Sequence, residues 1–213
     1  MRLSLSVLAS TLAAAILAAG STPVFADNIP YGNPGNVAPA NTLTATATGT
    51  IVGYFAGSDA GDNDRIQLWD VTQNTFSDFL LPNHSSTIGA PTNFLSVNAG
   101  DILVLILSND STGELEDSVD NHGTPSAFSA DGFNHAYTTP YTGSLAGLPI
   151  GLTGTFVGME DLNISGSDLD YNDDTFVFTN LAATAPTPEP STFALLGTGL
   201  IGVAGTLRRR FAR

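Results

Sequence analysis

The sequence has no cysteine and no lysine among its 213 residues. Without thiols it has neither a disulfide framework nor a thiolate zinc site, and without an ammonium group it has no Walker-type phosphate loop and no Schiff-base chemistry. Positive charge is scarce and sits at the ends: Arg2 opens the chain, Arg65 stands alone, and Arg208, Arg209, Arg210 and Arg213 close it. Residues 27–188 hold 19 carboxylates against Arg65, a balance of −18 over 162 residues. No basic patch can hold a phosphate backbone there, so nucleic acid and anionic membrane surfaces are excluded as partners, and cations are the natural counterpart. Amphipathic helices are lacking too, since no stretch of the body keeps an apolar 3.6-residue period for three turns.

What the body has instead is Gly, Thr, Asn, Asp and Ser around short β-branched or aromatic runs, at residues 43–55, 65–71, 92–97, 101–107, 134–138, 151–158 and 175–179. The spacing predicts an all-β fold, an antiparallel β-sandwich or jelly roll over residues 42–181. Residues 27–41, with three prolines, read as an irregular lead-in, and residues 182–192 as a linker. The apolar run 102–107 reads as a strand buried on both faces, with Ile102, Val104, Ile106, Phe156, Phe176 and Phe178 in the interior.

The two ends differ in kind from the body. A positive start, an apolar run over residues 8–19 and the small residue Ala26 after Ser21-Thr22-Pro23 predict a signal peptide over residues 1–26, cut after Ala26 by signal peptidase. At the other end, Pro188-Glu189-Pro190 precedes an apolar segment over residues 193–207 and then the Arg-rich tail 208–213. As a helix that segment would rise roughly 22 Å, short of a hydrocarbon core of about 30 Å, so its hold on a membrane is weak. The arginines stay on the cytoplasmic side and place the body outside. These three parts in order resemble the PEP-CTERM sorting signal, which implies an exosortase-type processing enzyme as partner and transient anchoring in the inner membrane. The implied destination is the cell surface or an exopolysaccharide-rich extracellular matrix.

Two acidic loops carry what chemistry the body offers. Residues 159–174 hold six carboxylates and two asparagine amides in sixteen positions. Hard oxygens at alternate positions converge when a loop wraps, and Ca²⁺ takes six to eight of them. Glu160, Asp161, Asp168, Asp170, Asn172 and Asp173 are the expected calcium ligands, with Asp59, Asp62, Asn63 and Asp64 as a second site. Asp168-x-Asp170-x-Asn172 opens like an EF-hand loop, but Asp173 replaces its glycine and strands flank it. The alternative is a solvated turn that guards a strand edge. The segments Thr48-Gly49-Thr50-Ile51-Val52-Gly53 and Thr153-Gly154-Thr155-Phe156-Val157-Gly158 echo each other, and each leads into one of these loops. That echo reads equally as a pseudo-repeat or as common turn chemistry.

Glu160-Asp161-Leu162, Asp170-Tyr171-Asn172-Asp173 and the upstream Asp131-Gly132-Phe133-Asn134-His135-Ala136 resemble the bacterial extracellular domain of unknown function 4114. The resemblance implies a β-sandwich-like extracellular module with no established activity, and no ligand assignment comes with it. His84, His122 and His135 each follow an asparagine and lack a short His-x-His spacing, so surface or hydrogen-bonded roles are expected rather than zinc ligation. No Gly-x-Ser-x-Gly elbow and no His-Glu-x-x-His pair exists, so a non-catalytic surface or matrix protein is the expected function. A carbohydrate-binding module using Tyr54, Trp69, Tyr137, Tyr141 and Tyr171 is the alternative, and a two-carboxylate glycosidase ranks third.

Overall fold

In a computed structural model of the chain, residues 35–118, 131–143 and 145–184 are described. They contain eleven strands and no helix: β1 (Thr42–Ala45), β2 (Gly49–Ser58), β3 (Asp64–Asp70), β4 (Thr75–Phe76), β5 (Pro91–Val97), β6 (Ile102–Asn109), β7 (Glu114–Asp117), β8 (Ala136–Tyr141), β9 (Gly154–Met159), β10 (Asp174–Thr179) and β11 (Leu181–Thr184). One sheet runs β11-β1-β6-β3-β4, with β7 also on β6; the other runs β5-β2-β10-β9-β8. Every pairing is antiparallel.

The two sheets share one sandwich-like core, because strand alternation sends every second side chain inward. Leu43, Ile66, Leu68, Leu103, Leu105 and Leu107 enter it from the first sheet and Ile51, Phe55, Val157, Met159, Phe176 and Phe178 from the second. Phe176 and Phe178 point the same way, as the alternation predicts, and their rings lie 6.0 Å apart. One of the expected buried residues is exposed, and three are buried outside the shared core. Ile102 is 47% exposed, because it begins β6 where little covers its outer face. Phe156 is buried on the far side of its sheet, packed with Val177, Tyr141 and Leu148 under the segment that follows β8. Val104 and Ile106 also face outward and are covered by Trp69, with Val71, Phe79 and Leu115 at the margin.

The boundaries move modestly. The 43–55 run breaks at residues 46–48 into β1 and β2, and β11 carries the sheet to Thr184, past the expected edge at 181. The lead-in from residue 35 has no strand until Thr42 but is packed down. Gly35 N–H donates to Leu169 O (3.0 Å) and Ala38 N–H to the Tyr171 hydroxyl (2.6 Å). Residues 1–34 and 185–213 lie outside the described residues, and with them the predicted signal peptide and Ala26, the rest of the lead-in and linker, the sorting motif Pro188-Glu189-Pro190, the helix 193–207 and Arg208, Arg209, Arg210 and Arg213. His122 lies outside them as well.

β2 and β9, the two echoed strands, flank β10 on either side, so they run parallel to one another and release both acidic loops at the same end of the sandwich. The echo stops there: the first loop leads into β3 in the other sheet, the second folds back into β10 beside its own strand. Gly158 on β9 marks how closely the second loop passes, since a Cβ there would stand 2.2 Å from Tyr171 O. Gly158→Ala is therefore expected to cost about 1–3 kcal/mol by overpacking, lowering the thermal midpoint by several degrees in a melt followed by circular dichroism. An unchanged midpoint would show that Tyr171 does not lie over β9.

Candidate functional site: a carboxylate cluster between the sheets

Burial dictates the chemistry at the end where the loops emerge. Asp64 starts β3 and Asp174 starts β10, so each is fixed by a strand of a different sheet, and they are 1% and 0% exposed. Asp64 Oδ1 and both oxygens of Asp174 are buried without a hydrogen-bond partner. Unpaired buried carboxylate is costly. Accordingly burial, and then the charge of Asp64, push the Asp174 carboxyl up to about 9. Burial is also the main cause that holds Asp64 at about 7, with Asp62, Asp173 and Asp110 adding to it while the neighbouring Asp174 opposes.

Asp161 and Asp173 join this cluster from the second acidic loop. Asp161 N–H donates to Asp173 Oδ2 (3.1 Å). Burial raises Asp161 to about 6, the charges of Asp64 and Asp62 contributing, and raises Asp173 to about 7, with Asp161 and Asp168 contributing. Asp62 completes the group. Asn109 on β6 ties the loops together, donating from Nδ2 to Asp62 Oδ2 (3.0 Å) and to Asp161 O (3.1 Å). Asn83 does the same for Asp64, donating from Nδ2 to Asp64 Oδ2 (3.0 Å) and to Asp62 O (2.9 Å). No positive side chain among the described residues compensates: Arg65, next to Asp64 in the chain, turns to Asp110 in a two-pronged pair at 2.6 and 2.8 Å.

The expected ligands thus regroup. Asp161 and Asp173 from the first predicted set lie near Asp62 and Asp64 from the second, close enough for their charges to act on one another. Asp174, absent from both expected sets, is its most buried member, and β10 begins at Asp174 rather than Thr175. Asn63 leaves the group, its side-chain oxygen lying 3.1 Å from His84 Nδ1. Asp59 is exposed, and its backbone N–H bonds the carbonyls of Asn172 and Asp173.

Glu160, Asp168 and Asp170 make a second, more open arrangement, each with an oxygen within 4.8 Å of the others. Asp170 also holds its own turn, accepting from Asn172 N–H (3.2 Å) and Asn172 Nδ2 (2.6 Å), so the Asn172 amide is spent within the loop. Glu160 is the loop's organiser. Its Oε1 accepts from Tyr171 N–H, and its Oε2 accepts from the Ser167 hydroxyl and from Leu169 N–H (3.3 Å). Leu169 and Tyr171 sit at φ +60° and +59°, a left-handed conformation that side chains disfavour, and these bonds hold them there. Tyr171 is in turn buried, donating its hydroxyl to Asn134 O (3.2 Å). The Glu-Asp-Leu and Asp-Tyr-Asn-Asp pattern is therefore first of all an architectural device that aims Asp161 and Asp173 inward.

Chemically the cluster offers hard oxygens of high negative charge, a donor set suited to Ca²⁺ or Mg²⁺ and unsuited to softer metals. The aromatics considered for sugar stacking are mostly not on offer: Trp69, Tyr141 and Tyr171 are buried, and Trp69 is stacked on Phe76 at 5.2 Å. His135, expected at the surface or in hydrogen bonds, is 2% exposed, because the segment leading into β8 passes beneath the second loop, where Glu160 N–H bonds its carbonyl (3.0 Å). His84 keeps a surface position.

No curated protein and no solved structure matches the chain. Residues 186–210 match the PEP-CTERM protein-sorting motif, a stretch that includes Pro188-Glu189-Pro190, the apolar segment 193–207 and Arg208 to Arg210. The chain carries, after its β domain, the motif of an exported protein whose C-terminal signal is anchored in the membrane before an exosortase processes it.

Proposed function

We propose that the chain is a non-catalytic component of the cell surface or extracellular polysaccharide matrix, delivered by exosortase sorting, and that calcium in the carboxylate cluster stabilises its β domain. The sorting motif supports the route. The observation that carries the calcium reading is the pair Asp64 and Asp174, one from each sheet, buried beside each other with oxygens that make no well-formed hydrogen bond, the Ser58 side chain being the donor near Asp174. An ion there links the two sheets and reverses the sign of the repulsion among five aspartates. A glycosidase needs its acid and base to face a cleft; these carboxylates face the interior.

Binding to the folded state alone adds RT ln(1 + [L]/Kd), about 2.7 kcal/mol when calcium is a hundredfold above Kd. Extracellular modules bind at roughly 0.1–1 mM, so the gain belongs to millimolar calcium, where the outside of a cell provides it and the cytosol does not. Thermal melts of the full-length chain in detergent should shift upward with millimolar calcium, much less with magnesium, and not with sodium chloride at matched ionic strength. Equal shifts with all three would reduce the cluster to a screened acidic surface. The sorting half is checked separately: intact mass of material released by the native host should lack residues 193–213, and retention of that segment would remove it.

A further inference from the structure

A second group of metal-ligating side chains lies apart from the aspartate cluster. Glu116 comes from β7 in one sheet, His135 stands one residue before β8 in the other, and Asp131 sits in the turn leading to it. One ligand atom from each lies within 4.8 Å of the other two. We propose that Glu116, Asp131 and His135 form a binding site for a borderline divalent cation of the zinc class, independent of calcium.

The surroundings of His135 Nε2 point to the ion. Asp131 Oδ1 lies 3.1 Å from it and Glu116 Oε2 lies 2.9 Å from it. A ring nitrogen has one N–H at most, and that N–H serves Asp131. Glu116 Oε2 is left buried with no hydrogen-bond partner although it touches the same nitrogen, and Glu116 and His135 are each at least nine-tenths buried. One hydrogen bond cannot satisfy two carboxylates on one nitrogen, whereas a metal ion placed among the three ligand atoms satisfies all of them.

Charge leads to the same place. Two carboxylates and a neutral imidazole carry −2, which a divalent ion cancels, whereas an imidazolium would leave −1 in the interior. The ligands are held from outside the site. Asp131 accepts from Phe133 N–H (2.9 Å) and Ile164 N–H (2.7 Å), and the His135 carbonyl is bonded by Glu160 N–H (3.0 Å). One nitrogen and two carboxylate oxygens are a zinc-type donor set, three protein ligands with a fourth position open, whereas Ca²⁺ takes only oxygens and more of them. Ligation at Nε2 puts the ring proton on Nδ1, which is buried and has no hydrogen-bond partner among the described residues, so the affinity should be moderate.

The test uses the untagged full-length chain in detergent with calcium held saturating, so that the aspartate cluster is occupied. Equilibrium dialysis should find one zinc retained per chain, and Co²⁺ in its place should give the visible absorption of a low-symmetry nitrogen-oxygen site. His135→Gln and Glu116→Gln should each weaken zinc binding at least tenfold without moving the calcium-dependent melting shift, and His84→Ala and His122→Ala should leave it unchanged. Glu116→Gln preserves volume and keeps the test open should His135→Gln fail to fold. No zinc retained by the native chain, zinc displaced by calcium, or undiminished binding in Glu116→Gln would overturn the site. A missing calcium shift would overturn the calcium reading and leave this one standing.

Discussion

Stripped of divalent cations, the β domain should become less stable as the pH rises from about 4 to about 9, the reverse of ordinary acid denaturation. Asp64, Asp161, Asp173 and Asp174 are all raised above the usual 3.8 in the folded chain, to about 7, 6, 7 and 9. Between the unfolded and folded values the native state holds protons that the unfolded chain has released. The slope of stability against pH is then negative, and stability present near pH 4 is lost as the pH climbs through each folded value. Each tenfold difference in proton affinity between the folded and unfolded chain is worth about 1.4 kcal/mol, so the coupled group together supplies several kcal/mol of pH dependence. Calcium in the millimolar range should flatten the curve by replacing the protons. Urea unfolding with chelator at pH 5 and pH 8, repeated with calcium, reads all of this. The double variant Asp64→Asn, Asp174→Asn, which mimics the protonated pair, should show a shallower slope without calcium, the remainder coming from Asp161 and Asp173, and a much smaller response to calcium. Stability that rises with pH in chelator would mean these carboxylates are ionised and solvated, and the cluster would lose its claim on a cation.

Glu160→Ala should lower the thermal midpoint by about 6–12 °C, the consequence of roughly 3 kcal/mol in a domain of this size. The substitution strands the Tyr171 N–H and the Ser167 hydroxyl, leaves Leu169 N–H only its bond to Ser167 Oγ (2.9 Å), and loosens two residues from a left-handed backbone they hold only under restraint. The loop would then relax away from Asp161 and Asp173, so the calcium shift should shrink as well, although Glu160 lies outside the inner cluster. Glu160→Gln retains one acceptor oxygen and should fall between the two. Melts of the three proteins with and without calcium decide it. A variant Glu160→Ala that melts like the parent would mean the loop is held by something other than this carboxylate.

Much of the architecture was legible in local pattern. Strand alternation needs no partner to be read, so Thr175-Phe176-Val177-Phe178-Thr179 shows two phenylalanines on one inward face before any strand is paired, whereas on β6 it does not tell that Leu103, Leu105 and Leu107, rather than Val104 and Ile106, enter the shared core. What periodicity could not tell is where a neighbour decides. Phe156 and Ile102 are equally apolar, but one is covered by the segment after β8 and the other by little. The strand β7, with three acids in four residues and Leu115 alone apolar, carries little strand signal and exists because β6 offers it an edge.

The amino-acid sequence by itself determined the charge of the body, the absence of thiol and ammonium chemistry, the all-β periodicity and the sorting motif at the C-terminus, because each is a property of composition or of residues close in the chain. It also located the acidic loops. Only the tertiary structure decided which acids meet. The positions of Asp62, Asp64, Asp161, Asp173 and Asp174 span more than a hundred residues, and they come together because β2 and β9 flank β10 and release their loops at one end, while β3 delivers Asp64 from the opposite sheet. The same holds for Glu116 and His135, nineteen positions apart, the first in β7 of one sheet and the second just ahead of β8 of the other. Sequence spacing measures contour length, whereas the cost of a buried carboxylate depends on what surrounds it, and sheet pairing supplies those surroundings.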